Sequence, residues 1–180
     1  KANTTGDYNT ASGYQALKAN TTGDYNSASG FQAMGGATNT GSYNQASGYT
    51  ALYSNTTGSK NSATGYSALY SNTTGSYNMA NGFLALAGNK TGSYNMAMGF
   101  YALSQNTGSS NMGLGTQALQ YNTSGANNSA IGTLALNRNT TGSNNVGIGF
   151  QSGYSNQTGS RNIFIGYQAG YSETGSNKLY

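Results

Sequence analysis

The sequence predicts an all-β fold, a parallel β-solenoid or β-roll of about ten coils with 17 residues each. Three observations support this prediction. A Thr-Gly step (once Ser-Gly) recurs at intervals of 16 to 18 residues, and its glycines are Gly6, Gly23, Gly41, Gly58, Gly75, Gly92, Gly108, Gly125, Gly142, Gly159 and Gly175. When that glycine is numbered position zero, position three is Asn and position seven is Gly in every complete repeat. All insertions and deletions fall after position seven, as expected for a rigid strand joined to a tolerant loop.

Composition limits the fold and the function. Leu, Ile, Val and Phe number 21 of 180 residues, too few for an ordinary globular core, yet the strict register of the repeat disfavours a disordered chain. The sequence has no His or Cys, and its carboxylates are Asp7, Asp24 and Glu173, so catalysis and a metal site are not expected. The seven basic residues are scattered, and no apolar stretch has the length of a membrane span. We expect residues 1–180 to be one repeat array cut from a longer fibre, with no nucleic-acid partner.

The segment from position three to position seven is predicted to be the main strand. Alternate side chains of a strand face opposite ways, so positions three, five and seven share one face. That face is small in nearly every coil, since it carries Asn, then Ala (Gly or Phe in three coils), then Gly. We expect it to line a thin coil in which the asparagines form an inner ladder. This ladder comprises Asn9, Asn26, Asn44, Asn61, Asn78, Asn95, Asn111, Asn128, Asn145 and Asn162.

A second short strand is predicted at positions ten and eleven. An Ala-Leu pair recurs there, as in Ala16-Leu17 and Ala135-Leu136. The Ser-Asn-Thr-Thr-Gly segment that follows is predicted to close the coil, because Asn and Gly adopt turn conformations and the hydroxyls bond the local backbone.

Positions four and six face away from the small interior, and their chemistry changes along the chain. The first four coils carry polar residues there, whereas the last five are largely apolar. An exposed apolar column of this kind usually marks a partner surface, and a second copy in the same register is the simplest partner. The alternative is that this face packs inside a wider monomeric coil. The predicted subunit-interface column is Met96, Met98, Met112, Leu114, Ile131, Val146, Ile148, Ile163 and Ile165.

Two further columns are candidates for contact with ligands or modification. Tyrosines at position two could hold sugar rings or partner chains, or could simply stack on one another over the turns. These are Tyr8, Tyr25, Tyr43, Tyr77 and Tyr94. The loop asparagines fit the N-glycosylation pattern, although turn formation alone would also explain them. These are Asn3, Asn20, Asn55, Asn72, Asn89, Asn122, Asn139 and Asn156.

The pattern Asn-x-Ala-x-Gly-Tyr-Gln-Ala-Leu, present from Asn9 to Leu17 and echoed from Asn145 to Gln151, resembles the head repeats of trimeric autotransporter adhesins. It is also similar to the repeat arrays of phage-tail-fibre-like fibre proteins. The resemblance covers essentially the whole chain. It implies a left-handed parallel β-roll, three chains of which form a trimeric head. The loop is longer here than in the adhesin unit, and the polar pairs of the first coils lack the Val and Ile expected at a trimer axis.

These features lead to two functional expectations. The first is a non-catalytic extracellular fibre segment, at the cell surface or on a virion. It would be the shaft or head of an adhesin or tail-fibre-like protein, or a self-assembling filament. Its partners would be other copies of the chain, as a parallel homotrimer or end to end, and host-surface glycans or proteins. The second is a monomeric β-solenoid that binds carbohydrate or ice through regular Thr and Tyr columns.

Overall fold

The computed structural model of the protein describes residues 3–180, and over this range it is an all-β solenoid. Within that range ten strands form one sheet in which each strand pairs with the next in sequence. They are β1 (Thr10–Ser12), β2 (Ser27–Ser29), β3 (Gln45–Ser47), β4 (Ser62–Thr64), β5 (Met79–Asn81), β6 (Met96–Met98), β7 (Met112–Leu114), β8 (Ser129–Ile131), β9 (Val146–Ile148) and β10 (Ile163–Ile165). All nine pairings are parallel, which confirms the predicted fold class. Among the described residues there is no helix long and apolar enough to cross a membrane.

The register of the sheet places equivalent residues of successive coils side by side. Ala11 pairs with Ala28, and Ala28 pairs with Ala46. From β2 onward the central residue of each strand is buried, whereas its two neighbours are exposed or half-buried. Position five therefore faces the interior and positions four and six face outward, as the alternation of strand side chains requires.

The predicted second strand at positions ten and eleven is wrong. This segment is a series of turns, and positions nine and eleven have positive φ, as at Gln15 (55°) and Leu17 (49°). A left-handed conformation costs a non-glycine residue about 1–2 kcal/mol. The cost is offset because amides at both positions are hydrogen-bonded between coils: Gln32 N–H at position nine donates to Tyr14 O at 2.8 Å, and Leu17 N–H at position eleven donates to Ala33 O at 3.0 Å.

The Ala-Leu pairs nevertheless form the apolar core of the coil. The leucines at position eleven, such as Leu52 and Leu103, are fully buried and pack with the alanines at positions five and ten. These small side chains fill a narrow interior, so the low content of large apolar residues is consistent with an ordered chain. Much of the remaining stabilisation comes from hydrogen bonds between coils, which run the length of the solenoid.

The last complete coil uses a different core arrangement. Phe164 replaces the usual alanine at position five, and Gly153 and Gly170 replace the leucine at position eleven in two adjacent coils. A Cβ atom on Gly153 would lie 2.4 Å from Phe164 Cδ2, and one on Gly170 would lie 2.2 Å from Phe164 Cδ1. The buried phenyl ring therefore occupies the space that two leucine side chains fill elsewhere.

Candidate functional surfaces

The inner asparagines link each coil to the next through the backbone. Asn95 illustrates the pattern, because its Oδ1 accepts from the backbone N–H of Asn111 at 3.0 Å and its Nδ2 donates to Gly108 O at 2.9 Å. The same two bonds recur from Asn9 to Asn162. Bonds between the amides of neighbouring asparagines occur in this ladder only at some coils, as at Asn95 and Asn78. The asparagines thus act as staples between coils, more through side chain–backbone bonds than through the stacked amides expected from the sequence.

The loop asparagines form a second ladder, which the sequence did not predict. The Nδ2 of Asn72 donates to Asn55 Oδ1 at 2.8 Å and to Gly75 O at 3.0 Å. Asn39 and Asn106 belong to the same ladder although neither is followed by the glycosylation pattern. The pattern therefore recurs wherever a ladder asparagine lies three residues before the glycine of the Thr-Gly or Ser-Gly step.

The loop asparagines that fit the N-glycosylation pattern are buried in the folded solenoid, with the exception of Asn3. A glycan replaces a hydrogen on Nδ2, and here that nitrogen donates inside the coil, with the residue at most 1% exposed. The folded solenoid has no room for a sugar at these seven positions: Asn20, Asn55, Asn72, Asn89, Asn122, Asn139 and Asn156. Asn3, the remaining candidate, is exposed, and its Nδ2 donates to Gly6 O at 2.7 Å.

The glycine that ends each Thr-Gly step is required by the two ladders together. Gly23 O accepts from Asn9 Nδ2 at 2.7 Å and from Asn20 Nδ2 at 3.0 Å, so both of its lone pairs are used. A Cβ atom on Gly23 would lie 2.2 Å from Gly41 O of the next coil. No side chain fits where two backbones approach this closely, which explains the strict recurrence of this glycine.

Position one carries a third ladder that sequence reasoning missed. Ser59 N–H donates to Ser76 Oγ at 3.0 Å, and Ser76 N–H donates to Ser93 Oγ at 3.0 Å. Asp24 takes this role in the second coil, since its Oδ1 accepts from Asp7 N–H at 2.8 Å. The recurrence of Ser at position one could have indicated this ladder from the sequence. Its hydroxyl groups accept hydrogen bonds between coils and so stabilise their stacking.

The first threonine of the loop pair donates its hydroxyl proton to the next coil. Thr56 Oγ1 donates to Thr73 O at 2.9 Å, and Thr73 Oγ1 donates to Lys90 O at 2.9 Å. The first threonine of the Thr-Thr pair makes a similar bond in other coils, as at Thr4 and Thr140, whereas no such bond is formed by the second threonine at Thr57, Thr74 or Thr141. Because the hydroxyl protons of the first threonines are donated to the neighbouring coil, their column presents few free donors to water or ice.

The outward strand positions form a largely apolar face in the later coils, interrupted by Asn81 and Ser129. Met98 is 44% exposed, Ile131 39% and Ile165 57%. Met96, Ile148 and Ile163 are exposed to similar degrees, whereas Met112, Leu114 and Val146 are half-buried. In the first four coils the same positions are Thr, Ser or Gln, so the apolar face begins at Met79 and reaches the last strand. A single chain thus leaves the predicted column uncovered, and nothing within residues 3–180 folds over it.

The tyrosines at position two are exposed and stacked. Tyr25 lies between Tyr8 and Tyr43 with ring centroids 4.7 and 4.9 Å away, and Tyr77 stacks on Tyr94 at 4.9 Å. Lys60 takes the place of a tyrosine between these two groups. Its Nζ lies 4.9 Å from the Tyr77 ring centroid and donates to Tyr77 Oη at 2.9 Å, a bond that raises the pKa of Lys60. Because neighbouring rings cover each other, this column presents mainly ring edges to solvent.

Charged side chains are sparse and separated. No group of three or more His, Cys, Asp or Glu residues lies together within residues 3–180. Glu173 accepts a hydrogen bond from Tyr180 Oη at 2.5 Å and further bonds from the Gly175 and Thr174 amides. These bonds, chiefly the one from Tyr180, hold the pKa of Glu173 below its ordinary value, and the same bond raises the pKa of Tyr180.

No family model, curated protein or solved structure matches this chain. Its function is therefore inferred from the geometry of the solenoid.

Proposed function

We propose that this chain is a structural segment of an extracellular fibre, built from three parallel copies, which projects from a cell or virion surface and performs no catalysis. The exposed apolar face at positions four and six of the later strands is the observation that supports this proposal. Neighbouring exposed apolar side chains of this kind usually contact a partner.

The period of the apolar face favours a second copy of the chain as the partner. A surface that covers this face over six consecutive strands must repeat at the spacing of the strands, and another solenoid of the same pitch does so. The polarity of the face favours a parallel arrangement. Polar coils then meet polar coils, and the Ile and Met columns of the last coils meet one another.

The expected energy of this contact is moderate. Complete burial of a large apolar side chain contributes roughly 1.5–3 kcal/mol, so a side chain already three-fifths buried contributes about 1 kcal/mol more. The column then supplies on the order of 5–10 kcal/mol per chain, against an association cost of comparable size. Assembly should therefore depend on concentration, with the C-terminal half forming the dry part of the interface.

The distribution of acidic groups supports a non-catalytic role. Asp7 and Asp24 lie in the first two coils and Glu173 lies in the last, so the two ends cannot form one acid–base site. The Asp24 carboxylate already accepts a backbone N–H. With neither His nor Cys in the sequence, none of the many Ser and Thr hydroxyls has an evident general base.

Mass measurement in solution over a range of concentrations tests the assembly. We expect a species near three times 18.5 kDa that dissociates on dilution. A monomer at every concentration would contradict the proposed trimer and would mean that the apolar face contacts some other partner.

A pair of matched variants tests which face is used. Ile148→Asp combined with Ile165→Asp places two charges in the apolar column and should abolish assembly, while the monomer stays folded because both positions are exposed. The control, Ser12→Asp combined with Ser29→Asp, makes the same change at position six of β1 and β2, where the face is polar and both residues are exposed. If both variants assemble like the unmodified chain, the strand face is not the interface.

A further inference from the structure

A groove near the middle of the solenoid lies between two pairs of stacked tyrosines. One wall is the Tyr49–Tyr66 pair, with ring centroids 5.0 Å apart, and the other is the Tyr53–Tyr70 pair, with centroids 5.3 Å apart. Both pairs are nearly parallel, at 4° and 2° between ring planes. The groove has a volume of about 650 Å³, enough for a drug-sized or disaccharide-sized molecule.

The Tyr53–Tyr70 pair ends where the next coil has no aromatic residue at the same position. Ala87 occupies the position of these tyrosines in the next coil, and Gly88 follows it. Both residues line the groove beside Tyr70. Tyr70 therefore has a ring stacked on one face only among the described residues, and 38% of the residue is exposed. By contrast, Tyr25 is covered on both faces by neighbouring tyrosines.

The floor of the groove carries hydroxyl groups beside the aromatic surface. Thr50 Oγ1 and Ser67 Oγ lie 2.8 Å apart and are hydrogen-bonded to each other. One hydroxyl donates in that bond, so the proton of the other remains available to a ligand. The side chain of Ser71 and the phenol groups of the walls add further donors and acceptors.

The chemistry of this groove fits a neutral saccharide. None of its lining residues carries a charge, so an anionic or cationic ligand would be desolvated there without compensation. An open aromatic face attracts the C–H face of a pyranose ring, because the face of the ring carries partial negative charge. Hydroxyl groups at the edge of the same surface can bond the hydroxyls of the sugar.

We propose that the notch formed by Tyr70, Ala87 and Gly88, in the groove that Ser67 and Leu84 also line, binds a pyranose unit of a neutral oligosaccharide. The site lies in one region of the array, where the tyrosine pair ends, and does not require an unbroken column along the solenoid. It is a property of the single chain, so it does not depend on trimer formation.

Titration with cellotetraose, followed by NMR of isotope-labelled tyrosine rings, tests this proposal on the whole chain. We expect millimolar binding that perturbs the ring signals of Tyr70 and Tyr66. Tyr70→Ala removes the platform and should weaken binding about tenfold or more, as loss of an aromatic stacking partner does elsewhere. The matched control is Tyr25→Ala, which removes a ring covered on both faces and should leave the affinity unchanged.

A third variant keeps the fold and closes the notch. Ala87→Tyr extends the tyrosine stack by one ring at a position that accepts tyrosine in two preceding coils, and it should abolish binding. The proposal is overturned if cellotetraose leaves the Tyr70 signals unchanged. It is also overturned if Ala87→Tyr binds as tightly as the unmodified chain. Mass measurement on the same samples reports separately on the trimer.

Discussion

The exchange of core residues around Phe164 allows a sharp test of how the coils pack. The Phe164 side chain is fully buried, and it fills space that Gly153 and Gly170 leave open. Phe164→Ala empties that space and should destabilise the protein by about 3–5 kcal/mol, the usual cost of removing a buried phenyl ring. Gly170→Leu alone should also destabilise it, because the new Cβ would lie 2.2 Å from Phe164 Cδ1 and overpacking costs about 1–3 kcal/mol.

The double variant is expected to recover part of both losses. Phe164→Ala with Gly170→Leu recreates the Ala-Leu arrangement found at Ala130 and Leu136. Leucine is tolerated at this backbone position, since Leu136 has φ of 48° and Gly170 has φ of 59°. The remaining cost is the left-handed conformation of leucine relative to glycine, about 1–2 kcal/mol, and a residual gap beside Gly153. The two changes should therefore show a favourable coupling of about 3 kcal/mol.

Chemical denaturation, combined with hydrogen exchange of the Gly153 amide, would measure these effects. That amide donates to Ala169 O at 2.8 Å and so reports on the affected coils, which matters because repeat arrays often unfold in parts. Phe150→Ala is the matched control, since Phe150 is 40% exposed and should cost much less. If the double variant loses the sum of the two single losses, the idea that Phe164 substitutes for two leucines is refuted.

Three further predictions follow from the ladders and the last turn. Asn95→Ala removes three hydrogen bonds and leaves the buried Asn111 amide without its acceptor, so thermal or chemical unfolding should show a loss of about 2–4 kcal/mol. The same change at the half-buried Asn9 should cost less, and equal losses would contradict the staple role. In a glycosylating secretory host, mass spectrometry of the folded, secreted solenoid should find no glycan on Asn72, and an occupied site there would contradict the buried ladder. The Glu173–Tyr180 bond lowers the pKa of Glu173, so its contribution to stability is present above the ordinary pKa of 4.5 and is lost as the pH falls through the lowered value. The protection factor of the Gly175 amide, its exchange rate relative to an unstructured chain at the same pH, should then fall in acid but not in the Glu173→Gln variant, and a fall of equal size in both would exclude this carboxylate as the cause.

The strand positions could be predicted because their constraints are local and repeat at every coil. A strand alternates its side chains, so the invariant Asn-x-Ala-x-Gly pattern indicated both the strand and its inward face. The structure places the strands at positions four to six and buries Ala28 and Ala63, as that pattern implies.

The segment around the Ala-Leu pair could not be predicted in the same way. Leucine has no preference for the left-handed region, yet Leu52 and Leu69 adopt it. Their conformation is set by amides that donate to the next coil, from Leu52 to Ala68 and from Leu69 to Ala85. Such bonds exist only once coils are stacked, so no local preference in the sequence indicates them.

The sequence by itself determined the period, the parallel stacking and the small interior face, because an Asn, Ala or Gly that recurs at fixed spacing limits what can lie opposite it. The tertiary structure decided what each polar column does. Asn72 and Asn95 are both repeated asparagines followed by different neighbours, and only the stacked coils show that both side chains are buried staples. The physical reason is that a hydrogen bond between coils joins residues about 17 apart in the sequence. The distance in space between such residues is set only when the coils stack.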